Sequence, residues 1–279
     1  MSYRRLILTA DDYAISPAVS AGIRTLAANG RLSATGVMAT MPDWPAEAPS
    51  LRALKDRVAV GLHFTLTDQV PLGPLPGLAP RGRLPSVNRL LLDSLLGRIP
   101  TQEVADEFER QLDRFEAFFG APPDFIDGHQ HVHLFPGIWP VVQAAFGRRL
   151  DPHICWLRDC RDPHVWRRGS RVKAGFISTL GRAASDAART RGLRSNRGFS
   201  GFYDYGGGNL AQFFAPMLKG AEDLHLMMVH PGHVDDKLRA IDSLTDPRQA
   251  EFDYLNSDDF PRQLAAMGFE LAKPGIMID

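Results

Sequence analysis

Apolar residues fall along this chain in two alternating textures. Short dense runs, such as Leu6-Ile-Leu, Leu32 to Met41, Val58-Ala-Val-Gly-Leu62 and Leu224-His-Leu-Met-Met-Val229, are too continuous for strands with one wet face. They predict strands covered on both sides. Asp124-Phe-Ile-Asp127, Ile154 to Leu157 and Phe269-Glu-Leu-Ala read as further strands. Between them the apolar spacing changes to three and four. Val19, Ile23 and Leu26 share one face of a helix that Ser16-Pro17 opens and Asn29-Gly30 closes. Val104, Phe108, Leu112, Phe115 and Phe119 repeat that spacing from a cap at Thr101 to Gly120, a stripe that reads as core packing. Helices are also predicted from about Gly137 to Phe146, over 178–192 in an Ala/Arg-rich pattern, and from a cap at Asn209 to Leu218. Asp246-Pro247 and Ser257 look like two further helix starts.

Strand and helix alternate throughout, which predicts an α/β protein with a parallel, covered sheet. Seven or eight such units in 279 residues fit a (β/α) barrel, TIM-like and open to distortion, better than an open doubly wound sheet. No glycine-rich nucleotide loop follows the first strand, where acidic residues stand instead. Residues 1–279 read as one domain. The stretch 68–100 departs from the pattern, with Pro and Gly crowded before Leu90, Leu91, Leu92, Leu95 and Leu96. It is read as an inserted lid or an oligomer contact, and a homodimer is one expectation.

Composition narrows the class. Apolar content of 44% and charged content of 23% are those of an ordinary globular protein. A formal net charge of zero gives no electrostatic footprint for nucleic acid or an anionic membrane. No apolar run approaches the ~20 residues a membrane span needs, and the run after Arg4-Arg5 is short for a secretory signal. Cys155 and Cys160 sit at no zinc-site spacing and suggest no disulfide framework. The expected location is cytoplasmic.

Candidate chemistry collects at the ends of the apolar runs. Asp11-Asp12, His63, His129 (with His131 and His133), Arg158 and His230 each follow one. In a parallel barrel those ends share a face. Taken singly, each has a plain explanation: a solvated Asp turn with a cap at Asp12 or Ser16, satisfied histidines, or a salt bridge from Arg158 to Asp127 or Asp159. Taken together, a carboxylate and two imidazoles suit a divalent ion with open positions, and a second carboxylate beside them can act as base. Pro136 argues against a strand running through His133. That leaves His129 as the ligand-like histidine, and His131 and His133 as supporting or substrate contacts. Arg158 is read as binding an anion or sugar hydroxyl, or as a salt-bridge partner. The aromatics of 198–205 could stack on sugar or fill the core, and Gly206-Gly-Gly is read as a connection.

The blocks Thr9-Ala-Asp11-Asp12-Tyr-Ala-Ile-Ser16, Gly61-Leu-His63-Phe-Thr-Leu-Thr67, Ile126-Asp-Gly-His129-Gln-His131-Val-His133 and Val229-His230-Pro-Gly232 resemble those of YdjC-type carbohydrate deacetylases. That family includes chitooligosaccharide deacetylases and hopanoid-associated deacetylase-like proteins. The resemblance implies a (β/α) barrel of the polysaccharide-deacetylase type. It further implies a divalent metal, zinc or magnesium, held by Asp12, His63 and His129, with Asp11 as base. Tyr13-Ala14 and Gly128 depart from the family's usual Phe-Gly and Ser, and both flank the site, where they bear on substrate preference. The function expected is removal of acetyl from an N-acetylated amino sugar, with His230 as acid and His131 as second choice. A metal amidohydrolase or esterase of another substrate is the alternative, and a non-catalytic sugar-binding barrel comes third.

Overall fold

The computed structural model describes residues 3–162, 164, 171–203, 205 and 210–272. The predicted Gly206-Gly207-Gly208 connection and the Asn209 cap lie outside these residues. The elements in order are β1 (Arg4–Tyr13), α1 (Pro17–Ala28), β2 (Ala34–Val37), α2 (Trp44–Arg52), β3 (Ala59–Phe64), α3 (Val87–Leu95) and α4 (Thr101–Phe119). There follow β4 (Phe125–Gly128), a 3-10 turn (His129–Leu134), α5 (Trp139–Ala144), β5 (Trp156–Leu157), α6 (Arg171–Thr190), β6 (Phe199–Ser200) and α7 (Leu210–Met217). The chain continues with β7 (His225–Val229), α8 (Asp236–Ile241), α9 (Asp246–Asn256), α10 (Asp259–Ala266) and β8 (Phe269–Leu271).

Every pairing is parallel, in the order β5-β4-β3-β2-β1-β7-β6, and β1, between β2 and β7, also pairs with β8. β8 pairs with the first residues of β1, Arg4 to Leu6, and β2 pairs with its last, Thr9 to Tyr13. The fold is a curled (β/α) barrel. Between β5 and β6 an irregular seam stands in for strand pairing. Leu157 N donates to Arg194 O, while the Asn196 side chain accepts from Asp159 N and donates to Asp159 O and Gly198 O. An amide side chain there satisfies backbone groups that a ladder would otherwise hold.

Strand alternation sorts the interior. Ile7, Ala34, Ala59, Phe125, Trp156, Phe199, Leu226 and Met228 pack together as one apolar layer. Asp11, His63, Asp127, Arg158 and His230 follow that layer at even steps along their strands. Each therefore projects to the same side, at the carboxyl end. Gly61 makes room for the layer, because a Cβ there would lie 2.5 Å from the Phe125 ring, which stacks on Trp156 at 4.5 Å.

Several boundaries differ from the sequence pattern. β1 runs through the Asp pair to Tyr13 instead of stopping before it, with a register shift between Ala10 and Tyr13. Thr101 is the first residue of α4, behind Pro100, and makes no cap. Ser257 closes α9 instead of opening a helix, and α10 starts after Asp258. Ser16 does cap α1, accepting from Val19 N.

Candidate active site

The bulge in β1 is what makes the Asp pair useful. Asp12 sits in the left-handed region, φ 67°, a conformation that Asp tolerates better than most side chains. The Asp12 carboxylate therefore leaves the strand's alternation while Asp11 keeps it. At the other wall the chain turns directly after β4. Gln130 and His131 are both left-handed (φ 52° and 62°), which ends the strand and separates His129 from the two later histidines.

Three donor groups converge. His129 Nδ1 is 2.9 Å and His63 Nε2 is 3.4 Å from Asp12 Oδ1, and one ligand atom from each of the three residues lies within 4.8 Å of the others. Two of the three donors are held from behind. His63 Nδ1 is 2.7 Å from Asp127 Oδ1, and Asp12 Oδ2 accepts from Arg248 Nη2 at 2.6 Å. That Arg248 nitrogen also bonds Asp242, and its Nε donates to Leu244 O. Such partners fix the orientation of ligand side chains. Asp11 points elsewhere, into a two-point grip: Arg158 Nη1 and Nη2 donate to its two oxygens at 2.8 and 2.6 Å. Arg158 Nη2 also pairs with Asp127 Oδ2 at 2.5 Å.

The charge count fits a cation. Asp11, Asp12 and Asp127 are buried with two guanidinium groups, Arg158 and Arg248, so negative charge is in excess. Burial opposes ionisation of Asp11, but the Arg158 charge overrides it and holds the carboxyl well below its ordinary range. Asp12 is lowered in the same way, by Arg248 and then His129 against burial. Burial disfavours an imidazolium at His63, yet Asp127 and Asp11 raise it to about 10. A proton on His63 thus supplies the positive charge that the carboxylates demand. A divalent ion at Asp12, His63 and His129 would supply it better, and the nitrogen and oxygen donors suit one.

A cavity of about 440 Å³ opens over this centre. Asp11, Asp12, His63, His129, His131 and His230 all reach its surface, beside Tyr205, Phe202 and Lys173. Val87, Asn88 and Leu91 of α3 form part of the rim, which brings the 68–100 stretch to the mouth. His230 Nδ1 lies 3.1 Å from the Tyr205 hydroxyl, and its backbone N donates to Glu251. Burial lowers His230 to about 4 and raises Glu251 to about 7. His131 packs edge-on against Phe199 and Phe202.

Two predicted contacts stand behind the wall. Arg158 is fully buried and engaged with Asp11 and Asp127, the second of its two readings. His133 is buried with Nε2 against Arg158 O, 3.3 Å away. Neither lines the cavity, because carboxylates occupy the guanidinium and the protein backbone occupies the imidazole. Tyr205 is one of the 198–205 aromatics, whereas nothing in the sequence pattern marks Arg248 or Glu251 as site residues. Arg248 and Glu251 lie in mid-helix, with no apolar run before them to mark their place.

The parallel barrel thus carries at its carboxyl end a buried group of carboxylates and imidazoles that could hold a metal ion. The profile of the YdjC-like proteins matches residues 5–266, and the chain belongs to that family. It is 31% identical to a chitooligosaccharide deacetylase of an Enterobacter species over 95% of this chain and 96% of that one. A second such deacetylase, from Escherichia fergusonii, is 30% identical over 96% of this chain and 97% of its own. Among solved structures, a candidate cellobiose-phosphate cleavage protein from Enterococcus faecalis superposes with a TM-score of 0.77 at 22% identity, covering 100% of both chains. No helix of the described residues is long and apolar enough to cross a membrane.

Proposed function

We propose that the chain is a metal-dependent carbohydrate deacetylase that hydrolyses the acetamide of an N-acetylated amino sugar, on a chitooligosaccharide-like substrate. The observation that carries this reading is the convergence of Asp12, His63 and His129 on one point, with Asp11 held separately beside it. The names of relatives covering nearly the whole chain support the substrate class.

In this reading Asp12, His63 and His129 hold a divalent ion, zinc or magnesium. When bound, it supplies Lewis-acid polarisation of the amide carbonyl and of water. Asp11 takes the water's proton. Its grip by Arg158 keeps it ionised and aimed, which suits a base that must be charged before the reaction begins. His230, on the cavity wall, passes a proton to the leaving amine. Its buried imidazole is neutral at rest; negative charge developing beside it raises its proton affinity, so that it first takes up a proton from solvent in the cavity and then gives that proton to the amine. Tyr205 fixes the ring through Nδ1. The α3 rim acts as the lid over the sugar.

The test is acetate release from mono-, di- and triacetylchitooligosaccharides by metal-loaded and metal-stripped protein. Release should require metal, and Asp11→Asn should lower kcat by roughly 10²- to 10⁴-fold while metal stays bound. Bound metal without acetate from any of these sugars would keep the site and reject the substrate.

A further inference from the structure

A second cavity, of about 480 Å³, opens on the outer wall of the barrel between α6 and the seam at 195–198. It shares no lining residue with the catalytic cavity. Arg161, Arg182, Arg189 and Arg197 line it. They belong to a local excess of charge. Residues 182–197 contain Arg182, Arg189, Arg191, Arg194 and Arg197 against one acid, Asp186, in a chain of zero net charge. Packing does not account for this. α6 meets the core through Ile177, Ala184 and Ala188, and Arg182 and Arg189 are on its exposed side.

The arginines are not equally committed. Arg161 pairs with Asp159 and Asp186, and Arg189 with Asp186. Arg182 and Arg197 have no side-chain partner among the described residues. The acids of the wall are both occupied. Asp159 accepts from Arg161 and from Ser185 Oγ, and Asp162 accepts from His164 N. Arg197 stands on a strapped segment, since Asn196 next to it holds both Asp159 and Gly198. Ser195 lines the same cavity, its hydroxyl without a partner among the described residues.

We propose that this cavity binds a phosphate-bearing small molecule, apart from the catalytic centre. Two unpaired guanidinium forks match the geometry of phosphate oxygens and bind them with paired N–H donors. The volume is that of a small-molecule site. The two acids that line the cavity are engaged by Arg161, Ser185 and His164, so Arg182 and Arg197 are the cations left for the phosphate among the described residues.

Calorimetric titration with inorganic phosphate and with glycerol phosphate, at constant ionic strength, tests the proposal. Metal-loaded protein should show saturable 1:1 binding that weakens by roughly tenfold or more in Arg182→Gln/Arg197→Gln, the loss of charge-assisted bonds being the cause. That double variant should keep its acetate-releasing activity, and His63→Ala should keep phosphate binding. Absence of saturable binding, equal binding in the double variant, or its loss in His63→Ala would overturn the proposal, the last because the anion would then sit at the metal. A single-stranded oligonucleotide that binds where both phosphates fail, and is lost in the double variant, would overturn the small-molecule assignment.

Discussion

Asp127 is the residue on which the two halves of the site meet. One oxygen orients His63 and the other pairs with Arg158, which grips Asp11. In Asp127→Asn the amide oxygen can still accept from His63, but the amide NH₂ then faces a buried guanidinium. Metal affinity should fall by roughly 10- to 100-fold, as for other losses behind a metal ligand, and competition with a chelator measures it. His230→Ala should separate from this. It leaves the three ligand groups in place, so metal affinity should hold while kcat drops by about 10²- to 10⁴-fold. An unchanged kcat would remove His230 from the proton transfer. Asp11, Asp12, His63, His129 and His230 were legible because each follows an apolar run. Asp127 was legible only as a possible ion-pair partner. Arg248 was not, since it reaches Asp12 from a helix that lies 236 residues further on.

At the level of elements, alternation decides what faces the centre, and small residues decide how closely strands carry it. Gly61 on β3 sits against the Phe125 ring of β4, and Gly36 on β2 against His63 Nδ1, 3.0 Å from where a Cβ would be. Gly61→Ala must push Phe125 off its stack on Trp156. Overpacking of this kind costs about 1–3 kcal/mol, which a lowered urea midpoint with unchanged m-value should register. Gly61 does not touch Asp12, so metal binding in the folded variant should suffer less than stability. The strand and helix order was legible because covered strands and amphipathic helices leave different periods in the sequence. The bulge at Asp12 was not, because a left-handed Asp looks like any other Asp. The same holds for the turn at Gln130-His131 and for the Asn196 seam, where one side chain does what a strand would do.

At the scale of the molecule, the buried aspartates of the site, Asp11, Asp12 and Asp127, are paired with guanidinium groups, while burial keeps the imidazoles of His131, His133 and His230 neutral. His133 shows the consequence for stability. Burial, with the Arg158 charge, outweighs the pull of Asp127 and lowers it from its ordinary 6.5 to about 4. Between those values the unfolded chain takes up a proton that the folded one refuses. The group's contribution is therefore complete above pH 6.5 and is lost as pH falls toward 4, by at most about 3 kcal/mol. Glu251 runs the other way. Burial raises it from 4.5 to about 7, so its contribution is present below 4.5 and fades as pH rises through 7. A bare stability profile mixes the two, but a comparison with His133→Gln cancels everything except His133. From pH 7.5 to pH 4.5 the wild type should lose about 2 to 3 kcal/mol more unfolding free energy than the variant, read from urea midpoints. Parallel losses in both proteins would mean that His133 binds its proton equally well in the folded and the unfolded chain.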